Sequence, residues 1–322
     1  MAETKIADVI QPERFAEYVI DRTTEKNEIM NAGVIENNPK LNELITGGGT
    51  VFTMPKWNDL SGESQVLDDD EPLEVSKITS KKELATLLIR GNAWGASELA
   101  GALAGDDPMK AIADLVSDWW IRDEKRQVLA ILNGVFASAS MSGLISDITS
   151  SESTTISGNA VLDAKQLMGD AADLLTLMYM HSATFTQLQK QNLIQFIPVS
   201  ESKIQIPTYL GYRVVCDDSA PVDTSGGTPK YTTYLLSKGA IQRGVGTPVS
   251  LTQVETDRDS LASVDLLINR QAKVLHPKGI SWIGAAVIDK ATPSNTELAT
   301  GTNWNRISDI KKIGMVKLVH TL

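Results

Sequence analysis

Cysteine, histidine and clustered cations are what this chain has least of. Cys216 is the only cysteine in 322 residues, so no internal disulfide framework exists. A reducing compartment suits that usage, and so does a particle that does without disulfides. The three histidines, His181, His276 and His320, show neither HExxH spacing nor a neighbouring cysteine, which removes the usual zinc patterns. Capping or packing is the reading preferred for all three. Lysine and arginine number 30 against 40 acids, giving a net charge of −10, with no basic block. A nucleic-acid reader draws its affinity from clustered cations, so that class is disfavoured, although a surface that merely faces nucleic acid is compatible. No apolar run approaches the roughly 18–20 residues a membrane span needs. The opening MAETKIADVIQPERFAEYV lacks the basic-then-apolar layout of a signal peptide. The expectation is a soluble protein made in the cytoplasm, without a membrane partner.

Motifs for chemistry are equally sparse. Gly47, Gly48 and Gly49 are followed by a strand-like stretch and not by Lys-Ser/Thr and a helix, so they read as a hinge and not a phosphate loop. Asp68, Asp69, Asp70, Glu71 and Glu74 lack EF-hand spacing and read as a solvated loop. Asp217 and Asp218 end a strand and cap a turn. No GxSxG elbow occurs, and no serine, histidine and acid fall into a known motif. The sequence offers no catalytic residue, no cofactor site and no metal site.

What is present is a sizeable apolar fraction, 42%, and one conspicuous helix. Asp106 and Asp107 are good N-caps, Pro108 fits the first helical position, and only Gly134 interrupts the run to Phe136. Apolar residues recur at helical spacing on both sides of the charged run Arg122–Arg126. At 1.5 Å per residue the rod is about 40–45 Å long. Such a helix needs something to lie across, and the adjacent Trp119 and Trp120 read as core or subunit contact.

Before the helix, residues 1–46 hold a short amphipathic helix, about Pro12 to Thr23, and a helical or irregular piece ending near Leu44. Together they form an arm with too few apolar residues for a core. Residues 50–92 alternate like two strands around the turn-rich NDLSGES and the acidic DDDEPLE. An isolated hairpin is marginal in water, so this one is expected to lean on another chain. After the helix, SASMSGLISDITSSESTTISGN reads as a linker. Downstream come a helix over Ala164–Ala172, the strand LLTLMYM, and a helix capped by Ser182. Further strands follow, interrupted by the loop DDSAPVDTSGGTPK, residues 217–230, and ending in KIGMVKLVH.

This order resembles the tailed-phage major capsid proteins of the Hong Kong 97-type fold, and within them the gp thirteen-like subgroup. The stretches that carry the resemblance are TVFTMPKWNDLSGESQVLDDD, LLIRGNAWGASELAGALAGDDPMKAIADLVSDWW, LAILNGVF, LMYMHSATFTQLQKQNLI and YLGYRVVCDD. It implies an α+β fold in five parts. They are an N-terminal arm (1–49), an E-loop hairpin (50–92), a P domain (93–160) whose spine helix spans 107–137, an α/β A domain (161–300), and a return to the P domain (301–322). The implied function is a structural one, self-assembly of pentamers and hexamers into the icosahedral head of a tailed double-stranded DNA phage. The expected location is the virion, after assembly in the host cytoplasm.

The same resemblance implies a portal, weak non-specific contact with packaged DNA, and room for a decoration protein. Lys5, Arg14, Arg22 and Lys26 would serve the DNA contact if the arm faces inward. The prototype of the fold carries a cleaved scaffolding segment; because the numbering here starts at Met1, a separate scaffolding protein is expected instead. Candidate inter-subunit contacts are Trp57, Leu60, Trp119, Trp120 and Gly226. The alternatives are an encapsulin-type nanocompartment shell, which shares the fold, and an α/β enzyme.

Overall fold

The computed structural model describes residue 29 and residues 32–60, 62–65, 73–104, 107–150, 153–191, 193–198, 205–248, 251–284 and 292–322. The expected helix over Pro12–Thr23, the arm cations Lys5, Arg14, Arg22 and Lys26, the residues Asp68–Glu71, and Asp106 lie outside the described residues.

Along the chain run β1 (Ile35–Asn37), α1 (Pro39–Thr46), β2 (Val51–Trp57), β3 (Ser80–Thr86), β4 (Leu88–Ser97), α2 (Glu98–Ala104) and α3 (Pro108–Ala137). Then come β5 (Ile145–Asp147), α4 (Gly158–Gln166), β6 (Leu175–Met180), α5 (Ser182–Lys190), β7 (Gln195–Pro198), β8 (Gln205–Tyr209) and β9 (Tyr212–Cys216). The remainder comprises β10 (Val222–Asp223), β11 (Lys230–Ser237), β12 (Ile241–Gly246), β13 (Val254–Asp259) and β14 (Val264–Pro277). It closes with β15 (Ile280–Trp282), α6 (Asn295–Leu298), β16 (Trp304–Arg306) and β17 (Met315–His320). Two larger sheets organise these strands. One is eight-stranded, in the order β5-β17-β11-β6-β9-β8-β7 with β10 on β11. The other is five-stranded, in the order β1-β12-β14-β13, and β4 also pairs with β14.

The long helix α3 joins them. Asp107 caps it, its side chain accepting from the backbone N–H of Met109 and Lys110, and Pro108 sits in the first turn. Beyond Val128 the helix is buried on nearly every side, because it enters the main core with Ile131, Leu132, Val135 and Phe136. Phe136 stacks on Tyr234 of β11 at 5.5 Å. Gly134 allows the closest approach. A Cβ there would run into the Leu298 carbonyl oxygen of α6 and lie 2.7 Å from Trp304 Nε1. The amino-terminal half instead lies across β4, where Trp94, Trp119 and Trp120 form successive edge-to-face contacts at 5.3 and 4.8 Å.

The charged run in mid-helix fastens α3 to both sheets. Glu124 and Lys125 are buried. The Glu124 carboxylate accepts from Arg243 of β12 at 2.5 and 3.0 Å, with Lys273 of β14 at 3.6 Å. Lys125 Nζ meets the Asp217 carboxylate, at the end of β9, at 3.3 Å. Buried charges persist only when paired, so the middle of the helix is pinned at one position against each sheet.

Several sequence expectations change. The serine-rich stretch after α3 is not a linker. Ala139–Leu144 forms a 3-10 helix with Met141 and Leu144 buried, and β5 then pairs in parallel with β17. The helix expected over Ala164–Ala172 begins earlier, at Gly158. It stops at Gln166, and a 3-10 helix over Gly169–Leu174 follows, opened by the positive φ of Gly169. The cap of α5 is His181, whose Nδ1 accepts from Ala183 N–H, and not Ser182. The end of the arm region does contribute to a core. Leu41 and Ile45 of α1 pack with Phe52, Ala85, Leu87, Ala272 and Val274. The strand expected as the second half of the hairpin is two strands, since only Ser80–Thr86 pairs with β2 while β4 pairs with β14.

Candidate inter-subunit surface

The hairpin β2–β3 is fixed at its root, and most of its described residues further out are exposed. At the root, Phe52, Ala85 and Thr86 are buried. Glu83 Oε1 lies 2.7 Å from His276 Nε2 and accepts from Gly279 N–H at 2.8 Å, and its other oxygen pairs with Lys56. Burial alone would push the Glu83 carboxyl up; the hydrogen bonds and charges of His276 and Lys56 outweigh it and hold the group at about 2. Leu84 N–H donates to Ser281 Oγ. Further out, Asn58 pairs with Thr79, and the Gln65 side chain spans both backbone groups of Glu74. Side chains on this stretch face solvent, with Trp57 at 72%, Leu60 at 78% and Val75 at 97% exposure. Trp57, Leu60 and Val75 are thus large apolar side chains left uncovered by their own chain among the described residues.

The other candidates separate. Trp120 is only 5% exposed, so its ring is already covered by its own chain. Lys273 Nζ sits 5.7 Å from that ring. Trp119 is half-buried. It lines a cleft of about 620 Å³ together with Ile89, Arg90, Asp123 and Asn295. Gly226 lies at the tip of the small hairpin formed by β10 and β11, where residues 223–229 are exposed and no atom comes within 4 Å of a Cβ built on it. Asp223 Oδ1 accepts from Ser225 N–H and its hydroxyl, which closes the turn.

The histidines serve structure. His181 caps α5 and stands edge-on to Tyr231 at 5.4 Å. His276 holds the hairpin root. His320 is buried, Nδ1 donating to the Thr321 carbonyl at 2.9 Å and Nε2 accepting from Thr233 Oγ1 at 3.0 Å. Burial holds its pKa below the ordinary histidine value, so the ring is neutral. Asp217 accepts from Ser219 N–H as a turn cap while also pairing Lys125. Sequence reasoning missed Glu83 and Leu73, Val75 and Ile78. The signal for Glu83 was an acid on the same strand face as Ala85, a face turned inward.

A projecting hairpin, a long helix laid over one sheet and pinned to another, and a mixed sheet with an exposed hairpin tip make up a fold of the Hong Kong 97 type. Comparison with known proteins makes the class specific. Residues 111–315 match the family model described as "Major capsid protein 13-like". The chain is 43% identical over 325 residues, covering 100% of itself and 99% of the relative, to the major capsid protein of Bacillus phage SPP1. It is similar to the capsid of Ralstonia phage GP4, with a TM-score of 0.63, 8% identity, and 96% of each chain covered. It is also similar to the SrpI encapsulin complex of Synechococcus elongatus PCC 7942, with a TM-score of 0.54, 8% identity, and 99% and 95% covered. At such identities the structural likenesses establish the fold alone. The chain belongs to the Major capsid protein 13-like family, a structural component of phage virions whose subunits assemble into shells.

Proposed function

We propose that this protein forms the icosahedral head of a tailed double-stranded DNA phage, as pentamers and hexamers assembled in the host cytoplasm. The full-length likeness to a phage major capsid protein carries this reading above the encapsulin alternative, because the fold is common to both. In it the hairpin β2–β3 is the E-loop, and Trp57 and Leu60 lie against a neighbouring subunit. Trp119 contributes to the same lateral contact, and the loop at Gly226 faces the five- or six-fold axis. The role is structural and requires no catalysis. A portal, a separate scaffolding protein and packaged DNA belong to this reading, and a decoration protein fits it. The acidic balance of the chain favours weak DNA contact without sequence preference.

Negative-stain microscopy of particles isolated from cells that produce the chain together with its natural partners tests it. Heads with a portal vertex and DNA are expected, while closed shells holding a protein cargo and no portal would favour the encapsulin reading. Hydrogen exchange tests the E-loop. In the free subunit, residues 51–60 and 73–80 should exchange far faster than the carboxy-terminal half of α3, and assembly should slow them. Equal protection in the free subunit would remove the neighbour from the argument.

A further inference from the structure

The seven residues of β2, VFTMPKW, are rich in side chains that favour strands, yet a proline sits among them. Val51, Thr53, Pro55 and Trp57 share one face of the strand, and all four are exposed. β3 covers one edge of β2, and among the described residues no strand covers the other. An exposed edge strand with apolar side chains is a template for pairing with another chain.

Hydrogen bonding shows which edge Pro55 faces. Asn58 N–H donates to the Thr79 carbonyl at 2.8 Å at one end of the hairpin ladder, and Leu87 N–H donates to the Thr50 carbonyl at 2.8 Å at the other. Bonded and non-bonded pairs alternate in an antiparallel ladder. The register therefore makes Phe52 with Ala85, Met54 with Glu83, and Lys56 with Lys81 the bonded pairs. Val51, Thr53, Pro55 and Trp57 turn their backbone groups away from β3. Leu84 agrees with this phase. It stands opposite Thr53, and its N–H leaves the far side of β3 to reach Ser281 Oγ at 2.9 Å. Pro55 thus costs the hairpin no bond. What it removes is the donor of the open edge between the N–H groups of Thr53 and Trp57, and its ring stands where an incoming carbonyl would approach.

A second copy of the same strand is the partner best matched to that edge. Two β2 strands meeting about a two-fold axis present the same apolar side chains to each other, and every subunit carries one. We infer that Pro55 blocks this strand addition and keeps free subunits from joining hairpin to hairpin. The block is selective. It interrupts a shared backbone ladder along β2 but leaves Trp57 and Leu60 uncovered for contact through side chains. It concerns the free subunit and goes beyond the shell reading, so it can fail while that reading stands.

Pro55→Val in the full chain tests the block, on subunits separated from any particles by size-exclusion chromatography. The concentration at which half the subunits associate should fall at least about tenfold, because the restored donor completes the edge. The amides of Thr53 and Trp57 should then exchange more slowly in the associated fraction than in the monomer. Thr53→Pro combined with Pro55→Val returns a proline to the same edge, two residues along, and should restore the unaltered behaviour. If Pro55→Val sends the chain into the pellet, the double variant should bring it back into solution. Association of the single variant no stronger than that of the unaltered chain would overturn the inference. So would strong association that the double variant retains, or that leaves the Thr53 and Trp57 amides fast, since contact would then run through the new side chain and not through the backbone edge.

Discussion

Replacing Glu83 with glutamine should loosen the root of the β2–β3 hairpin without altering its shape. The carboxylate is held at about 2 from an ordinary 4.5. A pKa displaced by one is worth about 1.4 kcal/mol, which makes about 3 kcal/mol in all. Lys56 is half-exposed and its share is screened by water, so about 2–3 kcal/mol is the better figure. Glutamine keeps an acceptor for Gly279 N–H but loses the charge facing His276 and Lys56. The opening equilibrium of the root should therefore rise about thirty- to one-hundred-and-sixtyfold, read as faster exchange at the amides of Leu84 and Gly279. The same depression fixes the sign of the pH dependence. A carboxyl depressed on folding contributes its full stabilisation above its unfolded value and loses it as pH falls through the folded one. Protection of those amides in the unaltered protein, corrected for intrinsic rates, should accordingly decline between pH 4.5 and 2. The Glu83→Gln variant should show no such decline. Equal protection in the two proteins, or a flat wild-type profile across that window, would refute the argument.

Three other perturbations follow from the geometry. Ala130→Pro removes a backbone hydrogen bond in mid-helix and clashes with the preceding turn, at about 3 kcal/mol or more, and should yield insoluble protein or no shells; normal particle yield would show that α3 need not be continuous. Gly134→Ala forces a methyl into the Leu298 carbonyl, so α6 must shift, and a lowered melting temperature is expected despite the higher helix propensity of alanine. A short glycine–serine segment inserted after Gly226 should leave the subunit folded, because residues 223–229 are exposed and no described atom lies within 4 Å of a Cβ at Gly226, yet lower the yield of closed shells by crowding copies at an axis. Unchanged yield would place that loop away from the axes.

The sequence exposed those parts of the fold whose signals are local. Asp107, Pro108 and the helical period delimit α3 to within a residue of its observed start, and the short apolar run LLTLMYM marks β6. Elements secured by distant partners were hidden. In the serine-rich stretch, Ser138 Oγ donates to the Trp304 carbonyl and Ser140 receives Arg306, so residues of loop composition are ordered by groups more than a hundred positions away. The break between β3 and β4 was invisible for a similar reason. Both strands alternate alike, and only the pairing of β4 with β14 assigns it to the other sheet. Candidate contacts were legible where large apolar side chains fall in turn-rich sequence, as with Trp57 and Leu60. Trp119 and Trp120 share one helix and one composition, and their different burial depends on where β4 crosses α3.

The position of β17 has a consequence for the moment at which a subunit becomes usable. It fills the gap between β5 and β11 in the eight-stranded sheet, yet about 170 residues separate Asp147 from Met315. At about 5–20 residues per second, β5 waits roughly 10–30 s on the ribosome for the strand that covers it. Until then both neighbours present open hydrogen-bonding edges, the kind of surface that chaperones engage and that mispairs when crowded. Nascent chains arrested before Met315 leaves the exit tunnel should be cut readily by protease within β11, and chains arrested after it should resist. Translation thus acts as a timer, holding each newly made subunit out of the growing head until β17 has been made.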